Sequence, residues 1–171
     1  MLTVQVALNL IPVEKNSNLI KQVNLLARKI YLPYYSKCIN PLYALHTYGR
    51  HQTSRAIKKA ILSGEEYYIV NYEGNNVGYF AIKVTENENS LFISKLYLDS
   101  SVRGKGFGRY TFNYVLTIAK ELNLSKIILN VSQKNPTVKI YEKFGFKILK
   151  PIYIDEGNGI TSEDYLMELE I

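Results

Sequence analysis

The stretch Arg103-Gly104-Lys105-Gly106-Phe107-Gly108-Arg109 joins a predicted strand to a predicted helix. The first backbone N–H groups of a helix have no partner inside it, and glycines let the backbone approach a ligand closely. The helix dipole and the basic side chains of the stretch favour negative charge at the same place. The stretch therefore predicts an anion site that suits a pyrophosphate, while a flexible connection without a ligand explains the turn alone equally well.

Two familiar phosphate-binding patterns do not fit this turn. Its glycines stand at positions 104, 106 and 108, so the dinucleotide pattern G-x-G-x-x-G is absent. The next predicted strand ends in Asn130-Val131-Ser132, without an acidic residue for a ribose. The P-loop pattern fails because no Gly-Lys-Ser or Gly-Lys-Thr follows at the required spacing. The predicted anion site therefore belongs to neither class.

Apolar residues at helical spacing predict the helices around the turn. Ser17 is a possible cap of the first helix, and Pro33 should end that helix. The predicted helices are 18–31, a segment after Pro41 within 36–49, a segment capped by Ser54 that ends at Gly64, 107–122, and a segment that Asn135 and Pro136 open and that closes near Gly145.

Alternating or continuously apolar runs between polar turns predict the strands. The polar turns at 73–76 and 86–89 join three of these strands into an antiparallel meander. The predicted strands are a short opening strand before residue 13, 67–71, 77–84, 91–98, 126–131, 146–154 and 164–171.

Composition favours one globular domain without a metal. The chain has 171 residues, of which 47% are hydrophobic, enough for one substantial core and too few for two comfortable domains. It has no apolar run long enough to cross a bilayer, and the opening segment 1–13 lacks a basic leader, so we expect a cytoplasmic protein without membrane contact. Cys38, His46 and His51 are too few soft ligands for structural zinc.

The basic charge of the chain has three readings. The formal net charge is +6, but the basic residues are scattered over several predicted helices instead of forming one run. A solvated surface explains them, a positive groove could attract a polyanionic cofactor, and a nucleic-acid partner is not expected because no reader motif accompanies the charge.

The glycine-rich turn resembles a signature of one enzyme superfamily. Arg103, Gly106 and Gly108 are similar to the R/Q-x-x-G-x-G/A signature of the GNAT superfamily of acyl-CoA N-acyltransferases, and they stand in the expected strand, turn and helix context. The turn alone is weak evidence, because glycine-rich turns are common.

A second signature of the superfamily follows the first in the right order. Asn135, Tyr141, Gly145 and Phe146 resemble its N-x-x-A-x-x-x-Y-x-x-x-G-F pattern, shifted by one position at the tyrosine, with Val138 where a small alanine is usual. The resemblance covers roughly residues 66–171, whereas the first 65 residues match only in having helices. It implies an α+β fold with a mixed, mostly antiparallel central sheet of six to seven strands and helices on both faces, in a single N-acetyltransferase domain over 1–171.

The resemblance also implies how the chain binds acetyl-CoA. The strand segment 94–98 should splay from the next strand, and the pantetheine arm of the cofactor should lie in the gap and pair with backbone groups. Asn130 should lie at the splay, and Asn135 should face the cofactor, act as a helix cap, or do both. The cofactor-binding residues implied are Leu96, Tyr97, Leu98, Arg103, Gly104, Lys105, Gly106, Phe107, Gly108, Arg109, Asn130 and Asn135.

Tyr141 corresponds to a tyrosine that often protonates the departing thiolate in this superfamily. A phenol with a pKa of about 10 is neutral at pH 7 and can donate to a thiolate whose conjugate acid has a pKa of about 8.5. The alternative is a core aromatic residue, since Val138 and Phe144 lie at neighbouring helical positions.

The sequence says less about the amine acceptor and about the general base that would remove the proton of that amine. Candidates for the base are Glu65, Glu66, Asp99 and Asp155, or a chain of water molecules. An aromatic wall for a cationic amine could be formed by the tyrosines at 31, 34, 35, 43 and 48. The alternative is that these side chains simply pack in the protein core. The acidic pairs at 155–156 and 163–164 could attract a polyamine or an amino sugar, or be solvated turn residues.

These observations predict a cytoplasmic N-acetyltransferase that moves the acetyl group of acetyl-CoA directly to a primary amine of a small molecule or peptide. The alternatives are a non-catalytic acyl-CoA-binding sensor and a basic RNA-associated protein. A homodimer is compatible with the resemblance, because dimers are common in this superfamily.

Overall fold

The computed structural model describes residues 8–171. The first seven residues, which begin the predicted opening segment, lie outside the described residues. The strands are β1 (Leu8–Pro12), β2 (Glu66–Tyr72), β3 (Asn75–Thr85), β4 (Ser90–Leu98), β5 (Lys126–Ser132), β6 (Lys147–Gly157) and β7 (Ile160–Glu170). The helices are α1 (Ser17–Cys38), α2 (Pro41–His51), α3 (Ser54–Leu62), α4 (Phe107–Glu121) and α5 (Val138–Lys143).

The strands form one seven-stranded sheet in the order β1-β2-β3-β4-β5-β7-β6. Only β4 and β5 run parallel, and every other neighbouring pair is antiparallel. One apolar core joins a sheet face to α4, and a second core joins the opposite face to α1, α2 and α3. This arrangement confirms the predicted α+β fold with a mostly antiparallel sheet and helices on both faces.

The sequence prediction for the first helix was wrong at both ends. Proline lacks an N–H and usually breaks a helix interior at a cost of about 3 kcal/mol, yet α1 continues through Pro33 to Cys38. Tyr31 and Tyr35, on either side of the proline, are both buried, so packing of this face offsets the lost hydrogen bond. The side chain of Asn16, and not Ser17, accepts the hydrogen bonds that cap the helix.

Two further helix starts differ from the sequence prediction. Thr53, one residue before Ser54, caps α3 through a hydrogen bond from the Ala56 amide. Helix α5 begins at Val138 and not at Asn135 or Pro136, because the segment from Asn135 first forms a tight turn in which the asparagine side chain accepts from the Thr137 amide.

Buried tyrosines dominate the core beneath α1. Burial raises the pKa of Tyr67, Tyr79 and Tyr97 well above the ordinary value for a phenol. The Tyr67 hydroxyl is buried and has no hydrogen-bond partner among residues 8–171. These phenols therefore stay neutral in the folded protein at a pH at which an unfolded chain begins to ionise them.

We expect the protein to lose stability steeply above about pH 10. The pKa of a buried tyrosine is higher in the folded than in the unfolded protein. Its contribution to the free energy of unfolding is therefore fully present below pH 10, and each such tyrosine lowers that free energy by about 1.4 kcal/mol per pH unit above it. Urea unfolding between pH 8 and 11 measures this loss. Tyr67→Phe should lessen the pH dependence, whereas Tyr153→Phe, at an exposed position, should not; identical slopes for the two variants would contradict the prediction.

No helix in the part of the chain that the structure describes is long and apolar enough to cross a membrane.

Candidate active site

A β-bulge in β4 marks the start of the site. Ala81 of β3 pairs with Lys95, while the next residue, Ile82, pairs with Ile93, so Ser94 has no partner in β3. A bulge adds one residue to a strand and bends it. Strand β4 therefore changes direction at Ser94.

The parallel pairing between β4 and β5 ends immediately before this bend. The last pair is Ile93 with Leu129, while β4 stays paired with β3 as far as Leu98 and Gly78. Beyond residue 93, the β5-facing edge of β4 is consequently unpaired. Asn130 is exposed and is the first residue of β5 past the last pair, which places it at the start of this gap.

Backbone groups of Leu96 and Leu98 face the gap. The Asp99 N–H donates to Val77 on the β3 side, and successive residues of a strand direct their backbone groups to opposite edges. Tyr97 therefore directs its backbone groups toward β3, while those of Leu96 and Leu98 point to the open edge. The Tyr97 side chain packs with the tyrosines under α1.

Gly78 lets β3 approach the gap-lining end of β4. A Cβ atom at this position would overlap the Tyr97 carbonyl oxygen and lie 2.6 Å from Leu98 Cδ2. We expect Gly78→Ala to shift β4, to lower the free energy of unfolding by about 1–3 kcal/mol and to weaken acetyl-CoA binding. Urea unfolding and calorimetry measure both effects. Gly49→Ala is the control because a Cβ there meets nothing within 4 Å; equal effects of the two variants would contradict the prediction.

The glycine-rich turn presents a run of free amides. Gly104 and Gly106 have φ values of +75° and +81°, which favour glycine, and α4 begins directly after Gly106 without a side-chain cap. None of the backbone N–H groups from Gly104 to Arg109 donates a hydrogen bond to residues 8–171. Such amides at a helix N-terminus suit a phosphate, so the turn fits the pyrophosphate of a coenzyme A group.

Aromatic rings hold the basic side chains of the turn. The Arg103 guanidinium lies 5.8 Å from the centre of the Tyr34 ring, and the Arg109 guanidinium lies 4.2 Å from that of Phe144. Lys105 Nζ lies 5.8 Å from the ring centre of Tyr72. Positive charge therefore surrounds the free amides on several sides.

A cleft of about 640 Å³ opens between this turn and α1. Its wall includes the end of β4, the start of the turn, the second half of α1 and the segment before α5. The lining residues are Lys29, Ile30, Pro33, Tyr34, Lys37, Cys38, Leu98, Asp99, Ser100, Arg103, Lys134 and Pro136.

Asn135 joins α1 to the segment after β5. It is 7% exposed, and its Oδ1 accepts hydrogen bonds from the Tyr34 hydroxyl at 2.6 Å and from the Thr137 amide at 3.0 Å. Its Nδ2 donates to the Tyr35 hydroxyl at 3.3 Å. Asn135 therefore stabilises a local turn and also links the two sides of the cleft.

Tyr141 lies on α5, half-buried against Phe144 and Phe146. Burial, with a smaller effect of the nearby Tyr34 phenol, raises its pKa to about 12. Its hydroxyl makes no hydrogen bond to the described residues, so its proton is available to a bound group. This position is compatible with Tyr141 as the proton donor to the thiolate and also with Tyr141 as a core aromatic residue.

The four candidate bases lie in different environments. Glu65 accepts a hydrogen bond from Ser94 at 2.8 Å and lies 3.5 Å from Lys95 Nζ, beside the bulge. Asp99 pairs with Lys29 at 3.0 Å, and a hydrogen bond from the Ser101 amide is the main cause that lowers its pKa. Glu66 and Asp155 are exposed. Among the four, Glu65 alone combines partial burial with a position at the bulge.

The tyrosine-rich stretch of the first two helices packs into the core. Tyr31 and Tyr48 are buried, and their hydroxyls bond to Thr47 and to Asn24 at 2.6 Å each. Tyr34 and Tyr43 are the exceptions, because Tyr34 lines the cleft and the Tyr43 hydroxyl reaches Ser162 on β7 at 2.7 Å. Most of this stretch is therefore ordinary packing, with one hydroxyl directed to the last hairpin.

The two acidic pairs near the final turn each contain one buried member, which the sequence reasoning did not distinguish. Glu156 and Asp164 are 6% and 9% exposed, whereas Asp155 and Glu163 are exposed. Successive residues of a strand point to opposite faces. That alternation, applied to 155–156 and 163–164, is the signal that could have identified the buried members. No group of three His, Cys, Asp or Glu side chains within residues 8–171 is arranged to hold a metal ion.

Comparison with known proteins agrees with the sequence signatures. A family model described as the Acetyltransferase (GNAT) family matches residues 27–146. N-acetylaspartate synthetase of Rattus norvegicus is 31% identical over 85 residues, which make up 49% of this chain and 28% of that protein. The chain therefore spans less than a third of the length of this relative.

Two solved structures share the fold over nearly the whole chain. PaiA N-acetyltransferase from Thermoplasma acidophilum, in complex with coenzyme A, superposes with a TM-score of 0.76 at 16% identity and covers 96% of this chain and 99% of that chain. Spermidine N-acetyltransferase from Vibrio cholerae, in complex with coenzyme A and spermine, gives a TM-score of 0.67 at 20% identity, covering 95% of each chain. The family match spans well over half of the sequence and includes both signatures, and the chain therefore belongs to the GNAT acetyltransferase family.

Proposed function

We propose that the protein transfers the acetyl group of acetyl-CoA directly to a primary amine of a small molecule or peptide. The observation that carries this proposal is the run of free amides from Gly104 to Arg109 beside the unpaired edge of β4. Family membership supports the choice of acetyl-CoA as donor. When bound, acetyl-CoA supplies an acetyl group activated as a thioester.

The chain's own residues would hold the donor and supply a proton. Amides of the turn bind the pyrophosphate, and backbone groups of Leu96 and Leu98 pair with the pantetheine arm as one strand pairs with another. Asn130 lies at the start of the same gap. The walls of the gap are stabilised by the packing of Tyr97 under α1 and by the hydrogen bonds of Asn135 to Tyr34 and Tyr35. Tyr141 protonates the departing thiolate, and its raised pKa keeps it protonated throughout the physiological range.

Removal of a proton from the acceptor is assigned to Glu65. An alkyl ammonium with a pKa of about 10.4 is neutral in roughly one molecule per thousand near pH 7.4, a handicap of about 4 kcal/mol. Glu65 lies beside the bulge at which the gap begins, and the Ser94 hydroxyl donates to it at 2.8 Å. Glu66 and Asp155 are exposed. Asp99 and Glu65 each pair with a lysine, Lys29 and Lys95, so the position of Glu65 at the bulge is what distinguishes it from Asp99.

The acceptor is proposed to be a small amine. One similar structure is a spermidine N-acetyltransferase that binds spermine, and one similar sequence is an N-acetylaspartate synthetase. Three lysines and Arg103 line the cleft beside the turn, so this cleft suits the anionic donor and does not itself identify the acceptor. A cytoplasmic location, a homodimer and a single domain over 1–171 remain predictions.

Release of free thiol from acetyl-CoA with a panel of amines tests the proposal. We expect thiol release that depends on at least one small amine or peptide amine. Acetyl-CoA binding without amine-dependent release would favour the sensor. Salt-dependent RNA binding without affinity for acetyl-CoA would favour the RNA-associated alternative.

A further inference from the structure

Pro33 leaves one backbone carbonyl of α1 without its helical partner. In an α-helix the carbonyl of each residue accepts a hydrogen bond from the N–H four residues later, and proline has no N–H to donate. Pro33 lies inside α1, so the Lys29 carbonyl lacks this hydrogen bond. No backbone N–H from outside the helix donates to it among residues 8–171. The Lys29 carbonyl is therefore open to a hydrogen-bond donor of a ligand.

This carbonyl lies on the face of α1 that lines the cleft beside the turn. Lys29, Ile30, Pro33 and Tyr34 all line that cleft of about 640 Å³, and residues at these spacings share one side of a helix. A helical carbonyl is directed along the axis toward the residue four positions later, so that of Lys29 lies between Lys29 and Pro33. Both residues are exposed. A ligand in the cleft can therefore reach this carbonyl.

The same part of α1 lies close to the end of β4. Lys29 Nζ is 3.0 Å from Asp99 Oδ2, and Leu98 lines the cleft together with Asp99. Leu98 is one of the residues whose backbone groups face the gap beyond the last pair of β4 with β5. The open carbonyl of α1 and the open edge of β4 therefore border the same cleft.

The charged side chains of this cleft are almost all hydrogen-bond donors. They are Lys29, Lys37, Arg103, Lys134 and a single carboxylate, Asp99, which is already paired with Lys29. The cations suit the phosphates of acetyl-CoA, but they cannot accept a hydrogen bond from an amide. The pantetheine arm carries amide N–H groups that give up water when they enter the cleft, and these groups then require acceptors. The Lys29 carbonyl supplies one, in addition to the carbonyls at the edge of β4.

We propose that the Lys29 carbonyl, left open by Pro33, accepts a hydrogen bond from an amide N–H of the pantetheine arm, so that α1 takes part in binding the donor. This inference rests on the proposed transferase function and adds a contact to its donor site. The arm is then held by the edge of β4 on one side and by a helix carbonyl on the other. It also gives a binding role to a proline that costs helix stability.

Calorimetric titration of two proline variants tests the inference without turnover. Pro33→Ala and Pro33→Gly both restore the N–H that bonds to the Lys29 carbonyl, although alanine favours a helix and glycine does not. The ligands are coenzyme A and adenosine 3′-phosphate 5′-diphosphate, which keeps the diphosphate and lacks the pantetheine arm. We expect both variants to bind coenzyme A about five-fold more weakly than the wild type, as for one lost hydrogen bond. Both should bind the nucleotide as tightly as the wild type does.

Pro41→Ala is the matched control for these variants. Pro41 occupies the first turn of α2, where a backbone N–H has no partner inside the helix. Its replacement therefore closes no carbonyl, and this variant should bind both ligands as the wild type does. Thermal unfolding without ligand should place Pro33→Ala above Pro33→Gly. A loss of affinity that arose from helix stability alone would consequently differ between the two variants.

The outcomes separate this inference from the proposed function. Unchanged affinity for coenzyme A in both Pro33 variants, an equal loss of affinity for the nucleotide, or a loss confined to Pro33→Gly would overturn the inference. Amine-dependent thiol release by the wild type would leave the transferase intact in each of these cases. Weaker coenzyme A binding in both variants, without thiol release by the wild type, would support the contact and refute the transferase.

Discussion

Replacing Gly106 with glutamate is expected to weaken acetyl-CoA binding by about 100-fold or more, because charged phosphate contacts are lost. Gly106 has a φ of +81°, and a Cβ there meets nothing within 4 Å. The new side chain would therefore extend into open space beside the turn. Its carboxylate would place negative charge where a pyrophosphate is expected, and titration calorimetry with acetyl-CoA measures the loss.

Gly74→Glu is the matched control for this experiment. Gly74 has a φ of +83°, a Cβ there also meets nothing within 4 Å, and it lies in the turn between β2 and β3. Both variants carry the strain of a side chain in the left-handed region, about 1–2 kcal/mol, so thermal unfolding should change similarly in both. Unchanged affinity in Gly106→Glu, or an equal loss in both variants, would remove the turn from the donor site.

Tyr141→Phe is expected to lower kcat by roughly ten-fold or more, because the departing thiolate loses its proton donor. The phenyl ring keeps the contacts with Phe144 and Phe146, so affinity for acetyl-CoA should stay unchanged. Steady-state thiol release gives kcat, and calorimetry gives the affinity. Tyr153→Phe, at a position that is 68% exposed, should behave as the wild type.

The pH profile gives a second test of Tyr141. Its pKa is raised to about 12, so its proton is present below that value and is lost only as the pH rises through it. The kcat of the wild type should therefore not decline between pH 7 and 10 through ionisation of this phenol. A Tyr141→Phe variant with the kcat of the wild type would leave Tyr141 as a packing residue.

The amino-acid sequence by itself determined the order and type of the elements. The apolar run in 77–84, helical spacing in 107–122 and glycines at 104 and 106 are local signals, since they depend on residues close together in the chain. The same locality explains why two short signatures suffice to identify the family. It also explains the error at Pro33, where a local rule was outweighed by the burial of Tyr31 and Tyr35.

Only the tertiary structure decided how distant segments meet. The bulge at Ser94 became evident only from the register of β3 with β4. The hydrogen bonds that connect Tyr43 through Ser162 to Asp164 join residues more than a hundred positions apart. The ion pair of the buried Glu156 with His51 also joins residues that are far apart in the sequence. These properties depend on packing between elements, because neither the cost of burying a charge nor the identity of its partner is contained in the local sequence.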